Sequence, residues 1–302
     1  MRRILWRSVA ISFLCCVLAV EATGLSVTEG SIDRVVLACL LLIAGLLADP
    51  GLCPRIAWLV EALAAMALLL VIGMVGAVSS YLVLWHAGPL TDPLLDSADH
   101  LLGFDWLYIR NTTTAGPWLL LVLERAYYAC FWLPSAIILL LCASGRTARM
   151  HRLLAAFGVA ILLGLPVFFL MPAAAAFDFY GYAPVPANAR HYGMVISALQ
   201  AHEMHAIDLT DLGGIISFPS FHASMAVLFA WALWPFRLLR IVSLPLNLLM
   251  WFAAIPIGGH YVVDVLGGTL VAVAALRLTD RSPHIFRVRP GLFAAVRLHA
   301  PS

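Results

Sequence analysis

The sequence predicts an all-α, polytopic helical membrane protein with about eight transmembrane helices, and three observations predict it. Of its 302 residues, 63% are hydrophobic and 11% are charged, where a soluble globular chain carries roughly 25% charge. The mean hydropathy is +0.97, and the excess lies in repeated apolar runs of membrane length, not in one tail. The basic residues between those runs are also unevenly distributed, as the positive-inside rule requires of a chain with many spans.

The apolar runs fall at roughly 4–20, 35–48, 56–84, 118–142, 153–171, 221–236, 241–257 and 261–278. In lipid each must satisfy its backbone polar groups internally, so each reads as a helix. The first, Ile4 to Val20, has a basic head like that of a signal peptide, but no convincing small-residue cleavage site follows. An uncleaved first span is therefore expected. Two polar stretches, 87–116 and 174–216, interrupt the pattern and are rich in Asp, His, Gly and Pro. The first contains LLGFDWLYIR, whose aromatic content suits an interfacial or re-entrant piece. These features divide the chain into N-terminal transmembrane helices (1–86), a second membrane domain that holds both polar stretches (87–280) and a basic cytoplasmic tail (281–302).

All 18 basic residues are arginine, and the net charge is +2, too small to suggest nucleic-acid binding. With the N-terminus inside, Arg2, Arg3, Arg7, Arg55, Arg146, Arg149, Arg152, Arg237, Arg240, Arg277, Arg281, Arg287, Arg289 and Arg297 share the cytoplasmic side. Both polar stretches then face outward, in the topology of a multi-pass protein of the cytoplasmic membrane. The six cysteines, Cys15, Cys16, Cys39, Cys53, Cys130 and Cys142, lie in or beside apolar runs without metal-type spacing, so they read as packing residues and not as a disulfide framework.

The chemistry concentrates in SFPSFHAS (217–224) and IPIGGHYVVDVLGG (255–268). His222 and His260 are 38 positions apart, about two membrane crossings at 1.5 Å per residue once a turn is allowed for. They therefore return to the same outer level. Each heads a helix, where unpaired N–H groups and the positive dipole end favour an anion. Asp264 lies one turn beyond His260 and within reach of its imidazole. A neutral imidazole oriented by a carboxylate suits a nucleophile toward phosphorus, so His260 and Asp264 take that role. His222 suits the acid/base that protonates the leaving oxygen. Ser220 and neighbouring N–H groups are placed to hold phosphoryl oxygens, Pro219 is tolerated at a helix start, and Gly258 and Gly259 allow close backbone approach. Intramembrane ionisable groups at matched depth read as functional.

PSFH (219–222) and GGHYVVD (258–264) resemble the second and third signature motifs of the type 2 phosphatidic acid phosphatase (PAP2) superfamily, usually written PSGH and SRxxxxxHxxxD. The FPSFHAS and GGHYVVD forms, with LLGFDW and ERAYYACFWLP upstream, look more like the branch of inositol phosphorylceramide synthase and its bacterial relatives. The resemblance covers roughly 90–278. It implies a six-helix core, His260 as nucleophile, Asp264 as its partner, His222 as acid/base, a membrane lipid as substrate and no metal or other cofactor. The superfamily's first motif, KxxxxxxRP, needs a lysine that this chain lacks, and Ala253 and Ala254 stand where the serine and arginine of the third motif would be. Phosphate needs cationic neutralisation, so Arg125, Arg190 and Arg110 become candidates, with Gly259 beside the nucleophile. Asp92, Asp96, Asp99, His202, Glu203 and His205 lack tight ligand spacing and read as exposed charges.

Water as acceptor makes a phosphatase and an alcohol makes a head-group transferase, and both stand open, as does oligomeric state. Two rivals remain: an inactive lipid-binding relative, and a transporter or flippase using the His/Asp cluster as a proton relay. The second predicts inverted repeats, and no internal symmetry is visible.

Overall fold

The computed structural model describes residues 2–47, 56–182, 187–209 and 214–280, with the backbone alone over 187–192. Among the described residues the helices are, in chain order, α1 (Arg2–Thr23), α2 (Glu29–Leu47), α3 (Ala57–Trp85), α4 (Asp92–Leu101), α5 (Trp106–Thr114), α6 (Pro117–Ala143), α7 (Thr147–Leu170), α8 (Ala176–Phe179), α9 (Ala187–Gln200), α10 (Phe221–Leu233), α11 (Leu239–Ala253) and α12 (Val262–Asp280). The eight apolar runs become α1, α2, α3, α6, α7, α10, α11 and α12. Six of these are long and apolar enough to cross a membrane, while α10 and α11 are shorter apolar helices. The protein is thus an all-α, multi-pass membrane protein.

Helices α6, α7, α10, α11 and α12 pack on one another, and α3 joins them through α6 and α7. Helices α1 and α2 pack against α3 and against each other. The expected division after residue 86 falls at the end of α3, a helix that packs on both sides of that line. Large apolar side chains such as Trp118, Phe131, Leu162, Leu238 and Leu270 stand exposed around the bundle, the pattern of a surface solvated by lipid. Between helices in lipid there is little hydrophobic drive, so close packing and interhelical hydrogen bonds hold the bundle. At one end the Glu61 carboxylate on α3 takes a 2.8 Å contact from His151 on α7 and a 3.5 Å contact from Arg2 on α1, tying three helices at a buried point.

The other end is built from the polar stretches. Here the short strand β1 (Ser26–Val27) pairs in parallel with β2 (Ala206–Ile207), fastening the α1–α2 turn to the second polar stretch. The LLGFDWLYIR segment forms the end of α4, a turn through Gly103 and the start of α5, which Asp105 caps by accepting from Tyr108 N at 2.9 Å. Trp106 is buried against Phe177 and donates its indole N–H to Ile255 O at 3.1 Å. This layer of α4, α5 and α8 covers the ends of α11 and α12.

Two of the acidic residues read as exposed charges are instead buried connectors. Asp92 accepts from Ala174 N (2.9 Å), Ala175 N (3.1 Å) and the Tyr261 hydroxyl (3.2 Å). Asp99 accepts from Val262 N at 2.7 Å and Val263 N at 2.9 Å, at the first turn of α12. A carboxylate accepting several N–H groups withstands burial. Asp96 is half-buried beneath the Tyr180 hydroxyl, and His202, Glu203 and His205 are exposed. Among the described residues no group of three or more His, Cys, Asp and Glu side chains is placed to hold a metal ion. No disulfide joins the described cysteines; Cys53 and the tail 281–302 lie outside the described residues.

Candidate active site

Ser220 caps α10: its hydroxyl accepts from Ala223 N at 3.4 Å while its own N–H donates to Asp264 O at 2.9 Å. This places His222 in the first turn of α10 and anchors that turn to α12. The anchorage needs a residue without a side chain opposite, because a Cβ on Gly268 would lie 2.0 Å from Ser220 O. Ser224 completes the joint by donating to Gly268 O at 2.7 Å. Helix α10 has 13 residues and is thus about 20 Å long, shorter than the roughly 30 Å hydrocarbon layer. The segment before this helix, from Gly214 to Ser217, is irregular backbone that lines the cavity described below.

His260 reaches the same place from the other side. Gly259 turns the chain with φ +73, and a Cβ there would meet the Phe177 ring at 2.3 Å. Its carbonyl accepts from Ala176 N at 2.8 Å. His260 Nδ1 lies 3.3 Å from Asp264 Oδ2, which also accepts from Tyr261 N at 2.9 Å. Asp264 is fully buried, and among the described residues its Oδ1 has no hydrogen-bond partner. The carboxylate therefore holds one face of the imidazole and leaves Nε2 on the other.

The rings of His222 and His260 are 6.3 Å apart, and both line a cavity of about 540 Å³. That volume lies within the usual range for small-molecule sites. Among the described residues no carboxylate contacts His222. Tyr127 stacks on its ring at 4.2 Å and 10°, and Cys130 Sγ lies 3.3 Å from its Nε2. One imidazole thus has an anionic partner, and the other is set by a phenol ring and a thiol. Phe221, in the place of the superfamily motif's glycine, lines the cavity and meets Phe157 edge-on at 5.0 Å.

The remaining expected site residues divide. Ser220 is fully buried and is not among the cavity-lining residues, so its hydroxyl serves the helix cap. Ser217, three residues earlier, lines the cavity and has a buried Oγ with no partner among the described residues. Gly258 lines the cavity, and Gly259 forms the turn behind it. Arg125 is exposed on α6 and does not line the cavity. Arg110 donates to Pro256 O and stacks over Phe177 and Tyr182, which makes it a brace beneath the site. Arg190 lies on α9, and its side chain is outside the described residues. Ala253 and Ala254 are fully buried, so nothing there replaces the arginine of the motif.

Sequence reasoning missed Ser217, Tyr127, Cys130 and Asp178. Tyr127 and Cys130 are three apart on α6 and so share a face, a signal that was present in ERAYYACFWLP. Asp178 on α8 lines the cavity beside Gly193 of α9. Partial burial and the neighbouring Asp92 push its carboxyl up to about 6.

A family model described as the PAP2 superfamily matches residues 94–278, more than half of the chain. The chain belongs to that superfamily. No curated protein and no solved structure matches it. PAP2 membership accounts for the paired motifs at 219–222 and 258–264 and makes phosphatase or phosphotransferase chemistry on a lipid the coarse expectation. The matched region begins within α4, so α1, α2 and α3 precede it.

Proposed function

We propose that this PAP2 protein transfers a phosphoryl group from a lipid phosphate or phosphodiester through a phosphohistidine on His260, at a site opening toward the outer side of the cytoplasmic membrane. One observation carries the reading: two imidazoles 6.3 Å apart share one cavity, and only one of them is backed by a buried carboxylate. Reacting atoms approach to about 3–3.5 Å before bond formation, so one phosphorus fits between the two rings.

In the first step His260 Nε2 attacks phosphorus, the bond from phosphorus to the leaving oxygen breaks, and His222 gives that oxygen its proton. Positive charge then develops on His260 beside Asp264, whose otherwise unpaired Oδ1 gains a favourable field. In the second step an acceptor O–H gives its proton to His222 while its oxygen attacks phosphorus, and the N–P bond breaks. Ser217 Oγ, buried without a partner, donates to a phosphoryl oxygen. Water as acceptor completes hydrolysis. An alcohol completes head-group transfer, and inositol phosphate passing to a lipid alcohol is the version suggested by the branch resemblance.

The test is turnover of labelled lipid phosphates by the purified chain, with and without alcohol acceptors. His260→Ala is expected to abolish turnover. His222→Ala should slow it by about 10²–10⁴-fold, the usual contribution of general acid–base catalysis, and leave label trapped on the protein. Turnover that survives His260→Ala overturns the mechanism.

A further inference from the structure

The cavity is larger than a phosphoryl group needs, and part of its lining comes from α3, outside the family-matched region. Helix α10, which carries His222, packs on α6 and α7, and α3 packs on the same two helices. From Leu69 to Ala77, α3 presents only apolar side chains and glycine to the cavity, a run of about 12 Å along the helix axis. Within this run Gly73 faces open space, because a Cβ built there meets no atom within 4 Å. Gly76 differs, since its Cβ would press against Ile161 at 2.8 Å.

The same cavity reaches the lipid-facing surface. Leu70 on α3 and Tyr128 and Phe131 on α6 line it while remaining 53%, 44% and 70% exposed. An apolar lining about 12 Å long along α3, in a cavity whose wall also carries exposed apolar side chains and both histidines, matches a single hydrocarbon chain whose polar end has reached the histidines. A water-soluble ligand would leave that apolar wall unsatisfied, and a protein helix is too wide for the space beside one glycine.

We propose that α3 forms the seat of one acyl chain of the substrate and that Gly73 is a specificity-determining residue that keeps the seat open. The proposal rests on the lipid-substrate reading above. It makes a helix outside the matched PAP2 region responsible for chain selection.

The experiment uses the full chain in vesicles. Phosphatidic acid with a photoreactive diazirine in mid-chain is the binding probe, and dipalmitoyl and dihexanoyl phosphatidic acids are the turnover substrates. The expected result is labelling of the peptide that contains Ala57–Trp85, reduced several-fold by Gly73→Phe. The preference in kcat/KM for dipalmitoyl over dihexanoyl substrate should fall about tenfold or more, as expulsion of two or so methylenes from a buried site would cause. Gly73→Ala adds one methyl and improves helix propensity; it should give a smaller shift in the same direction and carries the test if Gly73→Phe fails to accumulate. Labelling confined to other helices, or labelling and chain preference indifferent to both substitutions, overturns the seat. His260→Ala separates the two claims: retained labelling of α3 supports the seat whatever becomes of turnover, and turnover that survives this substitution overturns the phosphohistidine reading alone.

Discussion

At the scale of single residues the site is organised by differences between similar groups. His260 has a carboxylate on Nδ1, whereas His222 has Tyr127 and Cys130, which fits a nucleophile and a proton carrier. Asp178 adds a charge that varies near neutrality. Burial, with help from Asp92, raises its carboxyl to about 6. Below that value the group is neutral, and above it the group ionises and places a negative charge in a cavity proposed to receive phosphate. KM for a lipid phosphodiester, whose own charge is constant in this range, should therefore rise by about fivefold between about pH 5 and 7, the effect of ~1 kcal/mol of like-charge repulsion. Asp178→Asn should flatten that rise and lower KM at the higher pH. A profile of KM against pH that is the same in wild type and variant would remove Asp178 from the substrate's surroundings.

At the scale of elements, the long apolar helices were legible because lipid leaves a continuous apolar run no other structure. The convergence of His222 and His260, whose rings lie 6.3 Å apart, was legible too, since counting residues along α10, the turn and α11 brings the chain back to the same end. What the sequence concealed was every contact made between distant segments. Asp99 lies 163 positions from Val262 yet receives its N–H, as the cap of a helix that has no capping side chain of its own immediately before it. Ser220 reads as a phosphate ligand from its neighbours and proves to be a cap because Gly268 admits its carbonyl. Arg110 reads as a free cation and is committed to Pro256, Phe177 and Tyr182. Loss of the α12 cap is expected to be costly at the site, because the same turn carries Asp264. Asp99→Ala should lower stability by about 1–3 kcal/mol, the cost of leaving buried donors unmet, and should reduce kcat more than it raises KM. Asp99→Asn keeps an acceptor and should be milder on both counts. Thermal unfolding in detergent together with steady-state kinetics checks this, and equal behaviour of the two variants would mean that the N–H groups find other partners.

At the scale of the whole molecule, the two ends differ in chemistry. The end opposite the site is collared by arginines set on aromatic rings: Arg149 at 4.0 Å and Arg152 at 4.7 Å over Trp231, Arg146 at 4.9 Å over Phe236, and Arg240 at 4.8 Å over Trp234. Arg149 also donates to Ala232 O at 3.0 Å, where cationic charge complements the end of α10, and Arg152 pairs with Asp280 at 2.9 Å. Such a collar is the pattern expected at a membrane interface, and under the proposed orientation the positive-inside rule assigns it to the cytoplasm. The proposed orientation puts the end built from α4, α5, α8 and the β1–β2 pair outside, with the histidines reached from that side or from the bilayer. Two exposed serines test this orientation, Ser97 on α4 and Ser144 at the arginine end of α6. In intact cells Ser97→Cys should react with a membrane-impermeant maleimide above the level of the parent chain, and Ser144→Cys should react only after permeabilisation. The reverse pattern would put the phosphate chemistry in the cytoplasm and turn the arginine collar outward, against the charge rule that the rest of the sequence obeys.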